Sequence, residues 1–105
     1  MPYRYSATLF PMPQRFQDLY TLFASVRTPK EAEMLLKDMF TPQELDSIAE
    51  RWELIQMLAK GVPQREVAEE LGISISKITR GSRMLQYGSG GFMYFLEKLG
   101  KHVSR

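Results

Sequence analysis

The stretch Gln64–Arg83, QREVAEELGISISKITRGSR, constrains what this chain can fold into more tightly than any other part of it. Val67, Ala68 and Leu71 recur at helical spacing and mark the inner face of a short helix. Ala68 is small enough to let a second helix approach closely. Gly72 falls where a tight turn demands a residue free to take positive φ. Ile73 is placed to plug that turn, and Ser74 to cap the next helix by accepting a backbone N–H. Ile75 and Ile78 are then expected to point back into the core. Ser76, Lys77, Thr79 and Arg80 are left outside, the polar and basic face that a recognition helix lays into the major groove. An ordinary pair of packed helices would account for each residue singly. Their coincidence predicts a helix-turn-helix over about residues 64–87.

The rest of the chain is punctuated as clearly. Thr28-Pro29-Lys30-Glu31 and Thr41-Pro42-Gln43-Glu44 are two copies of one device. In each, a threonine caps, a proline occupies the first turn, and a glutamate completes a capping box. Before the first lies a helical stripe of Phe16, Leu19, Tyr20, Leu22, Phe23 and Val26, starting from Gln14. Ala32, Leu35, Leu36, Met39 and Phe40 follow as a second stripe. A long third helix carries Leu45, Ile48, Ala49, Trp52, Ile55, Leu58 and Ala59 on one side and ends near Gly61. Gly88, Gly90 and Gly91 break the chain after the helix-turn-helix. Phe92, Phe95, Leu96 and Leu99 then mark a short last helix, stopped near Gly100. No segment alternates with a strand's period of two. The reading is six helices and no sheet, over residues 14–105. Residues 1–13, with Pro2, Pro11, Pro13, Tyr3, Tyr5 and Phe10, read as an extended arm that either is disordered or lies over another surface.

A chain of 105 residues makes one domain with a modest core. Seven methionines and twelve aromatics are more than such a core can cover, so the stripes predict a subunit interface as well. A two-fold dimer would set two recognition helices about one DNA turn apart, ~34 Å. The net charge of +2 says little, but its distribution says more. Acids dominate from Glu31 to Glu53, whereas from Ile75 onward Lys77, Arg80, Arg83, Lys98, Lys101 and Arg105 face only Glu97. The basic half carries the predicted recognition helix, which suits contact with phosphates.

Other classes find little support. There is no cysteine, and His102 has no second histidine with which to make a metal site. Ser82 has no base beside it for nucleophilic catalysis. No apolar run is long enough to span a membrane, and no apolar leader directs export. A cytoplasmic protein that is not an enzyme is expected.

The strings FTPQELDSIAERWELI and QREVAEELGISISKITRGS resemble the bacterial Trp repressor family, and ITRGS after a helix-turn-helix is the specific part. The resemblance runs from about Gln14 to Leu99. It implies an all-α, six-helix subunit with a helix-turn-helix, in an intertwined homodimer that binds operator DNA as a transcriptional repressor. L-tryptophan, or another aromatic amino acid, is implied as corepressor. By matching position, Arg65 would contact the DNA backbone, and Ile75, Ser76 and Thr79 would approach base edges. Lys77 suits a phosphate or a base, and Gln64 and Arg83 complete the expected DNA-contacting set. Arg51 and Arg80 match the two arginines that sandwich the indole, and a guanidinium can both stack on an aromatic face and pair with a carboxylate. Thr41 and Gly81 match other pocket positions, and the Asp38 and Phe40 carbonyls would face the ligand's ammonium. Met84 stands where the family supplies a hydroxyl; a thioether donates no hydrogen bond, which costs about 0.5–1.5 kcal/mol. The loop Gly61-Val62-Pro63 is one residue shorter than in the founding members, and LQYG followed by glycines resembles a branch of the YerC/YecD type. Two alternatives stay open: a related DNA-binding regulator with a different effector or none, and a helical dimeric protein-interaction module. Steep loss of DNA affinity with salt separates the last from the others.

Overall fold

The computed structural model describes residues 13–101 and Val103. Among them the chain is helical and contains no strand: α1 (Gln14–Ala24), α2 (Pro29–Met39), α3 (Pro42–Ala59), α4 (Gln64–Leu71), α5 (Ile75–Tyr87) and α6 (Gly91–Lys98). Most of the arm expected over residues 1–13 lies outside the described residues, as does His102. No helix among the described residues is long and apolar enough to cross a membrane.

The predicted caps form, with one difference. At α3 the box is reciprocal: Thr41 Oγ1 accepts from the Glu44 N–H at 3.1 Å, and the Glu44 carboxylate accepts from the Thr41 N–H at 2.9 Å. At α2, Thr28 Oγ1 accepts from the Glu31 N–H at 3.1 Å. There the Glu31 carboxylate reaches past the cap to the N–H of Arg27, 2.9 Å away. Two orphan donors are satisfied in both cases.

The described chain divides into two compact units between residues 46 and 47. In the first, α1 and α2 bury no residue, and Phe16, Leu19, Tyr20, Leu22, Phe23, Met34 and Met39 are exposed. Their apolar stripes therefore find no complete cover within this unit. The second unit holds the core: Leu54, Ile55 and Ala59 from α3, Val67 from α4, Ile78 from α5 and Leu96 from α6. Trp52 and Phe92 stack against its edge with ring centroids 6.1 Å apart. Trp52 thus works as packing, in keeping with its place in the predicted stripe.

Burial departs from the predicted stripes at several positions: Ile48 and Ala49 of α3 and Phe95 and Leu99 at the last helix are exposed, and Ile75 and Leu54 change places. Ile75 was expected to point into the core, yet it is 53% exposed, whereas Ile78 is 0%. Ile75 is the first residue of α5, and a helical Cβ tilts toward the N-terminus, here past the end of the helix into open space. Leu54, absent from the predicted α3 stripe, is a core residue at 3%.

Candidate functional site

The turn between α4 and α5 is closed by the chemistry its residues allow. Gly72 takes φ 66° and ψ 36°, the left-handed region open to glycine. The Ala68 carbonyl then accepts from both the Gly72 N–H (2.9 Å) and the Ile73 N–H (3.2 Å). Ile73 packs against the core as the plug. Ser74 caps α5, its Oγ accepting from the Lys77 N–H at 3.3 Å and sharing a hydrogen bond with Ser76 Oγ at 3.1 Å. α4 and α5 pack against each other through this corner.

One face of the pair stays exposed. It carries Gln64 and Arg65 at the start of α4, and Ile75, Ser76, Lys77, Thr79, Arg80 and Arg83 along α5. Thr79 Oγ1 donates to Gln64 Oε1 at 3.4 Å, which ties the two helices across that face. Arg83 lies over the ring of Tyr87, 5.9 Å from its centroid. The face offers hydroxyls, an amide, and ammonium and guanidinium groups, donors suited to phosphate oxygens and base edges.

Behind this face lies a cavity of about 330 Å³ between α3 and α5, with Phe92 of α6 at one wall. From α3 it is lined by Ser47, Glu50, Arg51, Leu54 and Ile55, and from α5 by Lys77, Arg80, Gly81 and Met84. Ser47, Glu50, Arg51 and Leu54, like the four from α5, are spaced i, i+3, i+4, i+7, one row of a helix each. The two rows face each other closely because Gly81 has no side chain: a Cβ there would strike Cδ1 of Leu54. Leu54 and Phe92 give the cavity apolar walls. Arg51 and Arg80 are exposed at its edge, and neither has a carboxylate partner among the described residues. Lys77 does have one: its Nζ lies 3.2 Å from Glu50 Oε1. A cavity with apolar walls at Leu54 and Phe92, a Lys77–Glu50 ion pair and two unpaired guanidinium groups can take a flat apolar body bearing a carboxylate.

Four of the seven residues expected at a ligand site, Arg51, Arg80, Gly81 and Met84, therefore line one cavity. Asp38, Phe40 and Thr41 are not among its lining residues. They sit where α2 ends and α3 begins, Asp38 and Thr41 exposed and Phe40 half-buried. The residue four on from Asp38 is Pro42, which has no N–H to give, and the C-terminal end of α2 carries the negative end of its dipole. Ser47, Glu50, Leu54 and Phe92 escaped the sequence reading. Three of them share a helical row with Arg51, so the row itself was the available signal; Phe92 carried none. Among the described residues no cluster of carboxylates or histidine could hold a metal ion.

The profile of the Trp repressor protein family matches residues 14–100. A Trp operon repressor homolog of Mannheimia succiniciproducens is 38% identical over 88 residues, covering 83% of this chain and 86% of that one. A Trp operon repressor homolog of Chlamydia caviae is 34% identical over 85 residues, covering 80% and 84%. Among solved structures, a TrpR-like protein from Eubacterium eligens superposes with a TM-score of 0.80 at 29% identity, covering 89% of this chain and 95% of that one. A Staphylococcus aureus chain named for the Trp repressor gives a TM-score of 0.84 over 96% of this chain and all of its own; at 19% identity it speaks for the fold alone.

Proposed function

The chain belongs to the Trp repressor family, and from that premise we propose that it represses transcription by binding operator DNA when a small aromatic ligand, L-tryptophan or a close relative, fills the cavity behind its reading helix. The family is one of DNA-binding transcription regulators rather than enzymes, and this chain is such a regulator. Repression, the dimer and the effector are our reading.

The observation that carries it is the placing of Arg51 and Arg80 on one apolar cavity whose second wall is α5 itself. A ligand wedged there bears directly on the helix that carries Ser76, Lys77 and Thr79. Binding that favours one setting of α5 over another shifts the population toward the DNA-competent form, by as much as the ligand's affinities for the two settings differ. Gln64, Arg65 and Arg83 position the helices on the DNA backbone, while Ile75, Ser76 and Thr79 approach base edges. The exposed apolar stripes of α1 and α2 are covered in an intertwined homodimer, which presents two reading heads to a two-fold operator in the cytoplasm. Met84 favours one variation on this reading: with a thioether in place of a hydroxyl, an effector less polar than tryptophan fits the cavity mouth better.

Isothermal titration with L-tryptophan, alongside DNA binding with and without it, tests the reading. Saturable heat at one site per subunit, with tighter DNA binding in its presence, supports tryptophan gating. DNA binding with no heat from tryptophan replaces it with another effector or none. Absence of DNA binding at low salt overturns the repressor itself.

A further inference from the structure

Three ion pairs join the described residues, and two of them, Lys30–Glu33 and Lys37–Glu33, are local to α2. The third spans two helices: Lys77 on the exposed face of α5 and Glu50 on α3, 27 positions apart in sequence. Glu50 is the more enclosed partner, with 27% of its side chain exposed against 59% for Lys77. A carboxylate held on a helix flank loses little freedom by pairing, while the lysine it holds keeps a long flexible stem.

Resting on the DNA-binding reading, we propose that Glu50 competes with DNA phosphates for Lys77 and so sets this protein's affinity for DNA in general. Lys77 lies between Ser76 and Thr79, on the face that meets DNA in that reading. In the free protein its ammonium is neutralised by Glu50, so approach to a phosphate exchanges one anionic partner for another. The exchange returns a bare carboxylate to the interface, close to the incoming phosphate backbone, and both effects oppose binding. Arg51 and Arg80, at the same cavity edge, have no carboxylate partner and face no such competition. Glu50 therefore holds down the sequence-independent term of affinity, which every duplex shares, and leaves the base-reading hydroxyls of Ser76 and Thr79 untouched. Specificity gains what general affinity loses.

The test is a double-mutant cycle on the full chain, with Glu50→Gln, Lys77→Gln and both together. Each binds a fluorescent mixed-sequence duplex of about two helical turns, ~20 bp, across a salt series. Glu50→Gln is expected to bind roughly two- to fivefold tighter at moderate salt, the size of one exposed ion pair. The slope of log affinity against log salt should steepen by up to ~0.9. Both gains should vanish when Lys77 is already glutamine. Unchanged or weaker binding by Glu50→Gln overturns the proposal, and so does an equal gain in both backgrounds, which would make Glu50 a plain repulsive charge. If the unmodified chain binds no duplex at low salt, the DNA-binding reading fails first. Melting temperatures of the variants confirm that each is folded.

Discussion

Gly81 of α5 lies so close against Leu54 of α3 that a methyl group in place of its hydrogen would strike the leucine's Cδ1. Leu54 is 3% exposed and Ile55 Cδ1 stands 3.7 Å from the same point, so the leucine can give way only toward the cavity it lines. Gly81→Ala is expected to destabilise the fold by about 1–3 kcal/mol, as overpacking does. Leu54→Ala alone should cost about 2–5 kcal/mol. The pair together should cost less than the sum, and denaturant unfolding of the four proteins measures the difference. Strict additivity would mean that the two side chains do not set the spacing of α3 and α5.

A different glycine resists substitution for a different reason. Gly72 has open space around it, so its cost on substitution comes from φ 66° alone. Gly72→Ala should lose about 1 kcal/mol, and Gly72→Asn less, because asparagine tolerates the left-handed region. Equal losses for the two would point to packing at the turn instead.

Thr79 contributes an exposed hydroxyl to the outer face of α5, held only by a 3.4 Å hydrogen bond to Gln64. Thr79→Ala should weaken DNA binding by about 1–3 kcal/mol while leaving helicity and melting temperature unchanged. Thr79→Ser, which keeps the donor, should recover most of it. A variant that melts early and binds normally would remove Thr79 from the reading face.

Arg80 and Arg51 both edge the cavity, but only Arg80 also stands on the recognition helix. Arg80→Ala is expected to weaken both tryptophan and DNA; Arg51→Ala should weaken tryptophan first, and DNA only when tryptophan is present. Met84→Ser restores a hydroxyl at the cavity and should tighten tryptophan binding by about 0.5–1.5 kcal/mol, up to roughly tenfold. Calorimetry distinguishes these cases. An Arg80→Ala protein with unimpaired tryptophan affinity would clear the cavity of its assigned ligand.

Much of this is legible in the sequence. The bounds of α4 and α5 follow from Gly72 and Ser74, because left-handed turns and helix caps draw on few residue types. Thr28 and Thr41 announce their helices for the same reason. What escaped depends on distance in space. Leu54 falls outside the stripe of Leu45, Ile48, Trp52 and Ile55, yet it is covered by the close approach of α5 at Gly81, a position with no apolar side chain to announce it. Ile75 reads as core from its spacing to Ile78, but its place at a helix start sends the side chain outward. Glu50 looked like one more acid on a solvated face; only the approach of α5 gives it Lys77 for a partner. In the cavity, Arg51, Arg80, Gly81 and Met84 follow from the family resemblance; Ser47, Glu50 and Leu54 share a helical row with Arg51 that the resemblance does not single out, and Phe92, on another helix, has no such signal.

The thirteen residues of α5 carry two interleaved rows, one outward through Ser76, Thr79 and Arg83, the other toward α3 through Lys77, Arg80, Gly81 and Met84. Point changes on the first row leave the cavity walls alone, and changes at Gly81 or Met84 leave the outer surface alone. Under the proposed function, a lineage can therefore retarget which genes it silences without changing the metabolite it senses, or adopt a new metabolite while keeping its genes. Lys77 and Arg80, which line the cavity and also stand on the exposed face, are where those two histories remain bound to each other.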